Sequence, residues 1–362
     1  MTFNKNHPYD DLPKLPPTSD LRAERFSSAL VKARAELAEL KGYLHSIPTN
    51  PMLIISPSIL RESIASSEIE DIHTTLVDVL QTQLLSDEIK GSGADKEVLR
   101  YRDALVWGFE KMNETSISTR LILGVHKKLM PHLPEEYRKD QNYIVDRALG
   151  EKLYTPPSPT EISRLMYNWE NFVNNSVDHL DPLIKCAIAH YQFEAIHPFA
   201  DGNGRTGRIL IVLQLIKEGL LPLPTLFISG YLIKHRSDYY KHLREITYSG
   251  EWGGYISFML DAFYHQAFET KRVLLSAKYA YDSFKKILKI EHSSIYSADL
   301  VNSLFSFPVI NPNKLAKELG THRVTASKYL KAMTKAGLLR EYKSGTYHLY
   351  LNFRLMDAMQ NK

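Results

Sequence analysis

Length, composition and charge bound what this chain can be. It has 362 residues, 44% of them hydrophobic, and a formal net charge of +4 at pH 7. That length suits two or three domains with substantial hydrophobic cores. The small net charge excludes a protein that binds nucleic acid over its whole surface, so any such binding must be local.

Cysteine content and hydropathy exclude further classes. The single cysteine, Cys186, rules out an intrachain disulfide, and we expect it to be a small core residue rather than a reactive thiol. Residues 1–20 lack the apolar segment of a secretory signal, and no run approaches the roughly 18 apolar residues of a membrane span. We therefore expect a cytoplasmic protein without a membrane partner.

The N-terminal third is predicted to be helical after an extended arm. Four prolines near the N-terminus leave little room for a helix. Apolar residues at helical spacing then predict one long amphipathic helix over residues 21–44, with an early end at Gly42 as the alternative. After an interruption at 48–57, the same spacing predicts two helices within 58–85, separated near residues 73–75.

The middle of the chain is predicted to combine helices with one β-hairpin. A short linker is expected at residues 91–93. Two short runs of β-type residues, at 143–145 and 153–155, flank a polar turn that contains Gly150, and this pattern predicts a hairpin. The other segments have apolar residues at helical spacing. Helices are predicted at 97–112, 119–130, 162–173, 183–196 and 251–286.

Residues 197–208 carry the strongest chemical signal. They read His-Pro-Phe-Ala-Asp-Gly-Asn-Gly-Arg-Thr-Gly-Arg, which places a base, a carboxylate, three glycines and two arginines together. Main-chain N–H groups at a helix N-terminus and arginine side chains are suited to holding phosphate groups. A surface turn that caps a helix is the alternative.

The flanking segments decide what kind of phosphate loop this is. Its glycines are spaced G-x-G-x-x-G, but a dinucleotide fold requires a strand before them. Residues 183–196 have helical spacing instead, and the apolar run 209–216, which ends before Gly219, predicts a buried helix. The site is therefore predicted as helix, anion loop and central helix. His190 and Glu194, one turn apart in the first helix, are interpreted as core hydrogen-bonding residues rather than metal ligands.

The motif resembles that of the Fic family, His-x-Phe-x-Asp/Glu-Gly-Asn-Gly-Arg-x-x-Arg, at every fixed position. The resemblance implies a protein adenylyltransferase that moves AMP from Mg-ATP to a Ser, Thr or Tyr hydroxyl of a target protein, the chain itself included. It implies that His197 is the base and that Asp201 binds the magnesium ion, Mg²⁺. The nucleotide-binding residues that it implies are Gly202, Asn203, Gly204, Arg205, Gly207, Arg208 and, beside the adenine, Tyr240.

The chemistry of these residue types is compatible with the implied roles. A neutral imidazole, with an unperturbed pKa near ~6.5, can take the proton of a target hydroxyl at neutral pH. Fixed N–H dipoles, guanidinium groups and a divalent ion stabilise the charge that builds on the phosphoryl oxygens. One carboxylate suffices for Mg²⁺, which takes its other ligands from phosphates and water. Thr247 stands where related proteins often have Asn, which leaves base selectivity open.

A second segment resembles the inhibitory motif of Fic proteins, Ser/Thr-x-x-x-Glu followed by Gly or Asn. Ser66 and Glu70 have this spacing, which places them on one helical face, and Asp71 replaces the Gly or Asn. The resemblance implies that Glu70 reaches Arg208 and holds the enzyme in check, and we expect Asp71 to loosen this inhibitory helix. The alternatives are a solvated acidic helix face, and a Glu70 that aligns a water molecule for AMP removal.

The resemblance also gives the predicted hairpin a role. In the family such a hairpin, called the flap, pairs with the main chain of the target and presents its hydroxyl. A purely structural hairpin is the alternative. For Tyr240 the alternative is an ordinary core tyrosine.

From about residue 297 the chain resembles a winged helix-turn-helix. Two short helices at 314–319 and 324–336 are predicted around the turn at Gly320, and short strands at 338–340 and 347–349 form the wing. Basic residues concentrate on the second helix and the wing: Arg323, Lys328, Lys331, Lys335 and Lys343. A basic recognition helix is typical of DNA binding. A protein-docking module is the alternative, and a homodimer, which would strengthen duplex binding, is also left open.

Together these patterns predict a mainly α protein with a Fic-type helical bundle and a β-hairpin flap. Residues 1–93 are predicted as the N-terminal arm and inhibitory helices, 94–286 as the catalytic core, and 290–362 as the winged helix. The leading function is AMP transfer. The rival class is a DNA-binding regulator in which the nucleotide site acts as a sensor.

Overall fold

Helices dominate the chain, which a computed structural model describes over residues 3–46, 52–85, 93–145, 150–175 and 179–360. The helices before the central helix are α1 Ser27–Ser46, α2 Met52–Ile69, α3 Leu76–Leu85, α4 Gly93–Lys111, α5 Thr119–Leu129, α6 Pro159–Asn174 and α7 Pro182–Ile196. The others are α8 Asn203–Lys217, α9 Ser229–Lys234, α10 Arg236–Ser249, α11 Gly253–Glu291, α12 Ala298–Ser306, α13 Pro312–Leu319, α14 Arg323–Lys335 and α15 Phe353–Gln360. The strands are β1 Ile144–Val145, β2 Lys152–Tyr154, β3 Val309–Ile310, β4 Arg340–Ser344 and β5 Tyr347–Leu351.

The N-terminal arm is extended, as predicted, and lies on the helical core. Leu12 and Leu15 are buried, and the Asn168 side chain on α6 accepts from the Leu15 N–H (2.7 Å) and donates to its carbonyl (3.1 Å). A short 3-10 helix over 23–26 precedes α1. The predicted early end at Gly42 is wrong, because α1 continues to bury Leu44.

Helix α2 begins earlier than its sequence predicts. It starts at Met52 and runs past Pro57, although the prolines at 48–57 predicted an interruption. Ile55 and Ile59 are both buried in the core, and this packing outweighs the unfavourable proline position. Part of that interruption, residues 48–51, lies outside the described residues. The predicted break near 73–75 is confirmed, since α2 ends at Ile69 and α3 begins at Leu76.

The central helices α7 and α8 are buried on nearly all sides, which explains why both are apolar without a strong periodic pattern. Cys186 is buried in α7, and burial raises the pKa of its thiol, so it is a core residue as expected. Strands β1 and β2 form the predicted antiparallel hairpin. The Tyr154 hydroxyl donates to the Ala195 carbonyl (2.8 Å) and so ties the hairpin to α7. The turn residues 146–149 lie outside the described residues, and so do 91 and 92 of the predicted linker.

The C-terminal part is carried by the long helix α11. This helix continues to Glu291, beyond the end at 286 that was predicted for the core. Helices α12 to α14 follow, and the three strands pair antiparallel in the order β3-β5-β4. Strand β4 starts at Arg340, so Leu338 and Leu339, predicted within the wing, precede it and are buried. The element order is the one that a winged helix requires, and that assignment stays a prediction. None of the helices over the described ranges is long and apolar enough to cross a membrane.

Candidate active site

The motif loop, residues 197–203, connects α7 to α8 and is closed by its own side chains. His197 and Gly202 have left-handed backbone conformations, with φ of 51° and 78°. The Asn203 amide accepts from the Phe199 N–H and donates to the Phe199 carbonyl, both at 2.8 Å. The Asn203 side chain therefore holds the loop closed.

The first turn of α8 has the geometry of an anion site. The first helical hydrogen bond runs from the Thr206 N–H to the Gly202 carbonyl (3.0 Å). The N–H groups of residues 203–205 precede that bond, and amides in a first helical turn have no acceptor within the helix. At Gly204 a Cβ atom would lie 2.5 Å from Glu70 Oε1 and 3.0 Å from Arg208 Nη1. Glycine at this position therefore allows a carboxylate to approach the main chain.

Arg208 is held by the end of α2, as the resemblance implied. The guanidinium is buried and donates from Nε to the Ser66 hydroxyl (2.8 Å) and from Nη2 to both the Ser66 carbonyl (2.9 Å) and Glu70 Oε1 (2.8 Å). Burial alone would raise the pKa of the Glu70 carboxyl, but the charge and hydrogen bond of Arg208 outweigh it and lower that pKa. Glu70 is therefore an ionised partner of Arg208, and a solvated helix face does not describe it.

Asp71 fastens the end of α2 rather than loosening it. Its φ of 61° is left-handed, a conformation that Gly and Asn favour and that Asp also tolerates. Its carboxylate accepts from both terminal nitrogens of Arg236 on α10, at 2.7 and 3.2 Å. The expectation that Asp71 loosens the inhibitory helix is therefore wrong, because the carboxylate adds an ion pair that Gly could not make.

His197 is half-buried and held in a fixed orientation. Its Nδ1 lies 3.2 Å from the Glu194 carbonyl, which can only accept, so Nδ1 carries the proton and Nε2 carries the lone pair. Burial lowers the pKa of His197 to about 4, so the ring is neutral at physiological pH. The His197 carbonyl accepts from Arg138 Nε (2.9 Å), and Arg138 Nη2 donates to the Pro157 carbonyl (2.5 Å). Arg138 thus links the base to the foot of the hairpin.

The carboxylate predicted for the metal is accessible. The Asp201 side chain is 68% exposed, and its Oδ1 accepts from the Gly202 N–H (2.6 Å). Among the described residues, no group of three or more His, Cys, Asp or Glu side chains could hold an ion alone. A single exposed carboxylate beside an anion site fits Mg²⁺ that arrives with phosphates, because this ion commonly takes one or two protein carboxylates.

Arg205, predicted to contact phosphate, is held by a helix that the sequence did not connect with the motif. It is buried, and its Nη1 donates to Glu97 Oε2 on α4 (2.6 Å). Its Nη2 lies 3.9 Å from Asp201 Oδ1. The guanidinium therefore lies between two carboxylates.

His190 and Glu194 form a buried polar layer behind the loop. His190 Nε2 lies 2.7 Å from the Tyr239 hydroxyl, which bears out the hydrogen-bonding interpretation. Burial lowers the pKa of His190 to about 3 and raises the pKa of Glu194 to about 8, so both are neutral at physiological pH. Gly207 packs against the Glu194 side chain, which leaves no room for a Cβ atom. Gly207, predicted to bind nucleotide, therefore serves the close approach of α7 and α8.

The residues predicted near the adenine lie on α10. Tyr240 is half-buried, with the Arg236 guanidinium carbon 5.9 Å from its ring centre. The Thr247 hydroxyl lies 3.0 Å from the Tyr191 hydroxyl and donates to the Leu243 carbonyl (3.1 Å). Thr247 is therefore engaged in contacts within the protein.

Sequence reasoning missed several residues of this site, among them Glu97, Arg138 and Arg236. Each of these three is bonded to a motif or inhibitory residue that lies 59 to 165 positions away in the chain. No local spacing marks such pairs. Only the packing of α4, the hairpin foot and α10 around the loop brings them together.

Comparison with known proteins identifies the family and the fold that this chain shares with them. A family profile described as Fic/DOC family N-terminal matches residues 27–110, and one described as Fic/DOC family matches residues 116–215. A third, described as the C-terminal domain of SoFic-like protein adenylyltransferase, matches residues 281–355. The three profiles follow one another along the chain, and residues 111–115 and 216–280 lie between them.

Two curated relatives carry the name protein adenylyltransferase Fic. The one from Aedes aegypti is 31% identical over 150 residues, which is 40% of this chain and 27% of the relative. The one from Drosophila erecta is 28% identical over 155 residues, which is 41% of this chain and 28% of the relative. The match thus spans less than a third of the length of either relative.

Solved structures share the fold. A Fic family protein from Desulfovibrio desulfuricans G20 superposes with a TM-score of 0.55 at 24% identity, covering 89% of this chain and 95% of that one. Fic-1 from C. elegans superposes with a TM-score of 0.53 at 19% identity, covering 68% and 73%. The two Fic/DOC profiles together match more than half of the 362 residues. The chain therefore belongs to the Fic/DOC family.

Proposed function

We propose that this chain is a protein adenylyltransferase that transfers AMP from ATP, with Mg²⁺, to a Ser, Thr or Tyr hydroxyl of a target protein. The observation that carries the proposal is the position of the Glu70 carboxylate, bonded to Arg208 and lying against Gly204. An anion of the protein itself occupies the place where the motif is expected to take a phosphate. The names of the curated relatives support the same activity.

The proposed reaction uses the neutral His197 as its base. Nε2 takes the proton of the target hydroxyl, the hydroxyl oxygen bonds to the α-phosphorus, and the bond to the bridging oxygen breaks to release pyrophosphate. The N–H groups of the first turn of α8 and the two motif arginines stabilise the charge on the phosphoryl oxygens. Mg²⁺, held by Asp201 and the phosphates, would supply further positive charge.

The hairpin is the proposed docking element for the target. Tyr143, which directly precedes β1, and Val145 on β1 are about half exposed, at 49% and 47%. Exposed β-type residues at a sheet edge suit main-chain pairing with an extended segment. The link from Arg138 to the hairpin foot and to the His197 carbonyl would keep a segment docked there in register with the base.

Autoinhibition by Glu70 is part of the proposal. The Arg208 guanidinium can hold a carboxylate or a terminal phosphate, and its Nη2 is engaged with Glu70. ATP that binds beside Glu70 would have its α-phosphate out of line with the target hydroxyl. A misplacement of about 1 Å can cost about 10²-fold in rate.

The proposed activity is tested with ATP labelled at the α or, separately, the γ phosphate, together with magnesium and purified protein. We expect label to enter protein only from the α position. Transfer only from the γ position would make the chain kinase-like and refute the proposal. No transfer from either position, with Glu70→Gly included, would favour the regulator with a nucleotide-sensing site.

A second candidate function, DNA binding through α14, is favoured by one observation. Arg323, Lys328 and Lys331 are all exposed on this helix. Phosphate contacts from these residues predict duplex affinity that falls steeply between about 50 and 200 mM salt. Replacing all three by Ala should weaken binding, whereas a control that removes Lys32, Lys286 and Lys289 from α1 and α11 should not. Equal binding by the two variants would assign the module to protein docking or dimerisation.

A further inference from the structure

Arg205, the first arginine of the motif, makes two unequal contacts with carboxylates. Its Nη1 donates to Glu97 Oε2 at 2.6 Å, a charge-assisted hydrogen bond. Its Nη2 lies 3.9 Å from Asp201 Oδ1, within ion-pair distance but too far for a hydrogen bond. The side chain of Arg205 is 4% exposed and that of Asp201 is 68% exposed. The guanidinium is therefore bound to Glu97 and held apart from Asp201.

We propose that Glu97 is a positioning residue that holds Arg205 off Asp201 and so keeps the Asp201 carboxylate open to the divalent ion that accompanies ATP. The proposal rests on the proposed function, because it assigns Asp201 to that ion. Glu97 is the fifth residue of the 19-residue helix α4 and reaches the start of α8 from outside the motif. It acts through Arg205 and has no direct part in the reaction.

The reason is competition for one carboxylate. Arg205 and Asp201 are four residues apart and oppositely charged, a spacing at which side chains approach each other readily. A buried guanidinium that loses its partner takes another within reach, since an unpaired buried charge is costly. Glu70, a further carboxylate near Arg205, is bonded to Arg208. Without Glu97, Arg205 would close the 3.9 Å gap to Asp201 and neutralise the metal ligand.

A second observation concerns a hydrogen-bond donor of Arg205 that has no acceptor among the described residues. Its Nε is buried and has no hydrogen-bond partner within the described part of the chain. A buried N–H without an acceptor costs free energy, which a phosphate oxygen would recover. Glu97 fixes one end of the guanidinium and thereby fixes where this donor lies. The Glu97 hydrogen bond to Arg205 thus orients a donor for a phosphate oxygen and also keeps Asp201 available to the ion.

A simpler role for Glu97 would be to anchor α4 to α8. An anchor predicts lower stability and weaker nucleotide binding to the same extent with and without metal. A positioning residue predicts a selective loss of the tightening that the metal confers. The two roles therefore differ in one ratio, the dissociation constant of the nucleotide without metal divided by that with metal.

The test measures this ratio by calorimetry in the full-length Glu70→Gly chain. The probe is α,β-methylene-ATP, which resists cleavage at the α-phosphate, titrated with Mn²⁺ and separately with EDTA. Glu97→Gln keeps the size of the side chain but removes its charge, Glu97→Asp keeps the charge, and Glu110→Gln is the control on the exposed side of the same helix. We expect Glu97→Gln to reduce the ratio about 10-fold, as losses of residues that orient metal ligands commonly do. Glu97→Asp should restore part of it, and Glu110→Gln should match the parent.

Every outcome of this titration either supports or overturns the positioning role of Glu97. A ratio in Glu97→Gln equal to that of Glu110→Gln overturns the proposal, and so does an equal loss with Mn²⁺ and with EDTA, which assigns Glu97 to anchoring. If Glu97→Gln does not fold, as judged by thermal unfolding, the ratio in Glu97→Asp decides, and a value as high as that of the control counts against the idea. The readout needs no AMP transfer. A parent that binds the nucleotide and responds to Glu97→Gln, yet transfers no α label, would refute the proposed function and leave the positioning role intact.

Discussion

The motif loop, residues 197–203, and the end of α2, residues 66–71, meet at Arg208 but are held in different ways. The loop is fixed through its main chain. Asn203 bonds both main-chain groups of Phe199, Arg138 donates to the His197 carbonyl, and His126 lies 2.9 Å from the Asp201 carbonyl. The end of α2 is held instead by two arginine side chains. Arg208 pairs with Glu70 and also donates to the Ser66 hydroxyl and carbonyl, and Arg236 pairs with Asp71.

Because of this difference, we expect the motif loop to determine the chemistry and the end of α2 to determine its regulation. Main-chain bonds inside the loop have no counterpart in a nucleotide, so binding ATP does not compete with them. A carboxylate on Arg208 is different, because a phosphate oxygen is an equivalent acceptor for the same guanidinium. Changes in the loop should therefore abolish transfer, whereas changes at the end of α2 should alter how often the site is available.

The largest effect is expected on the loop side, from His197→Ala. The substitution removes the proposed base while the anion site remains, so transfer should fall by about 10²–10⁴-fold and nucleotide binding should persist. The measurement is the initial rate of α-label incorporation in a Glu70→Gly background, since a repressed parent would hide the loss. His45→Ala, an exposed histidine on α1, is the control. If the His197 variant keeps most of its activity, His197 is not the base.

A smaller and opposite effect is expected at the end of α2, from Glu70→Gly. Loss of the carboxylate frees Arg208 for a phosphate, and couplings of this kind correspond to roughly 5–150-fold in rate. Ser66→Ala should act in the same direction but less, because Arg208 keeps its bond to the Ser66 carbonyl. Initial rates at saturating ATP are compared with those of the parent and of Glu68→Gly. Equal rates throughout would remove the inhibitory role, and a slower Glu70 variant in an assay of AMP removal would assign the carboxylate to water activation.

A still smaller increase is expected from Asp71→Asn. Asn accepts the left-handed backbone at this position but cannot form the ion pair with Arg236. The side chains of Asp71 and Arg236 are about 40% exposed, so we expect only about 0.2–1 kcal/mol, which is at most roughly a fivefold faster transfer. Arg236→Gln should give the same increase, and the double variant no more than either. If the double variant shows the combined increase of the two single variants, Asp71 and Arg236 act separately.

The same difference explains how much the sequence could predict. The loop, its flanking helices and the hairpin follow from contiguous patterns, and most of their boundaries in the structure lie within a few residues of the prediction. The exception is α8, which begins at Asn203, six residues before the apolar run that predicted it, so the second half of the motif is helical. The Ser66, Glu70 and Arg208 cluster was also predicted, but only because both segments resemble known motifs. Periodicity alone would not join residues 138 positions apart.

What the sequence could not give depends on packing between distant elements. Pro57 predicted a break that the burial of Ile55 overrides, and Asp71 was expected to loosen a segment that Arg236 secures. Glu97 is one of many acidic residues on helix faces until the fold brings it to Arg205. Such pairs are properties of the assembled bundle, and no single stretch of residues encodes them.

The smallest expected effect is that of pH on the active Glu70→Gly chain. Burial lowers the pKa of His197 to about 4, so the neutral, basic form predominates above that value and is lost only as pH falls through it. Removing Glu70 takes away a carboxylate that raises this pKa, which strengthens the expectation. The transfer rate should therefore stay constant between about pH 5.5 and 7.5, whereas a histidine of ordinary pKa near ~6.5 would lose most activity at the acid end.

Two neighbouring carboxyl groups set the limits of that measurement. The pKa of Glu70 is lowered by Arg208, so in the parent its ion pair is lost only in more acidic solution, and the ratio of variant to parent rates should not change over the same range. Burial raises the pKa of Glu194 to about 8, so this carboxyl stays mostly protonated over the chosen range and ionises chiefly above it. Rates are compared at constant ionic strength. A transfer rate that declines with a midpoint near ~6.5 would show that the His197 ring is solvated like an ordinary histidine. The main-chain hydrogen bonds of the loop would then not hold His197 in a buried position during the reaction.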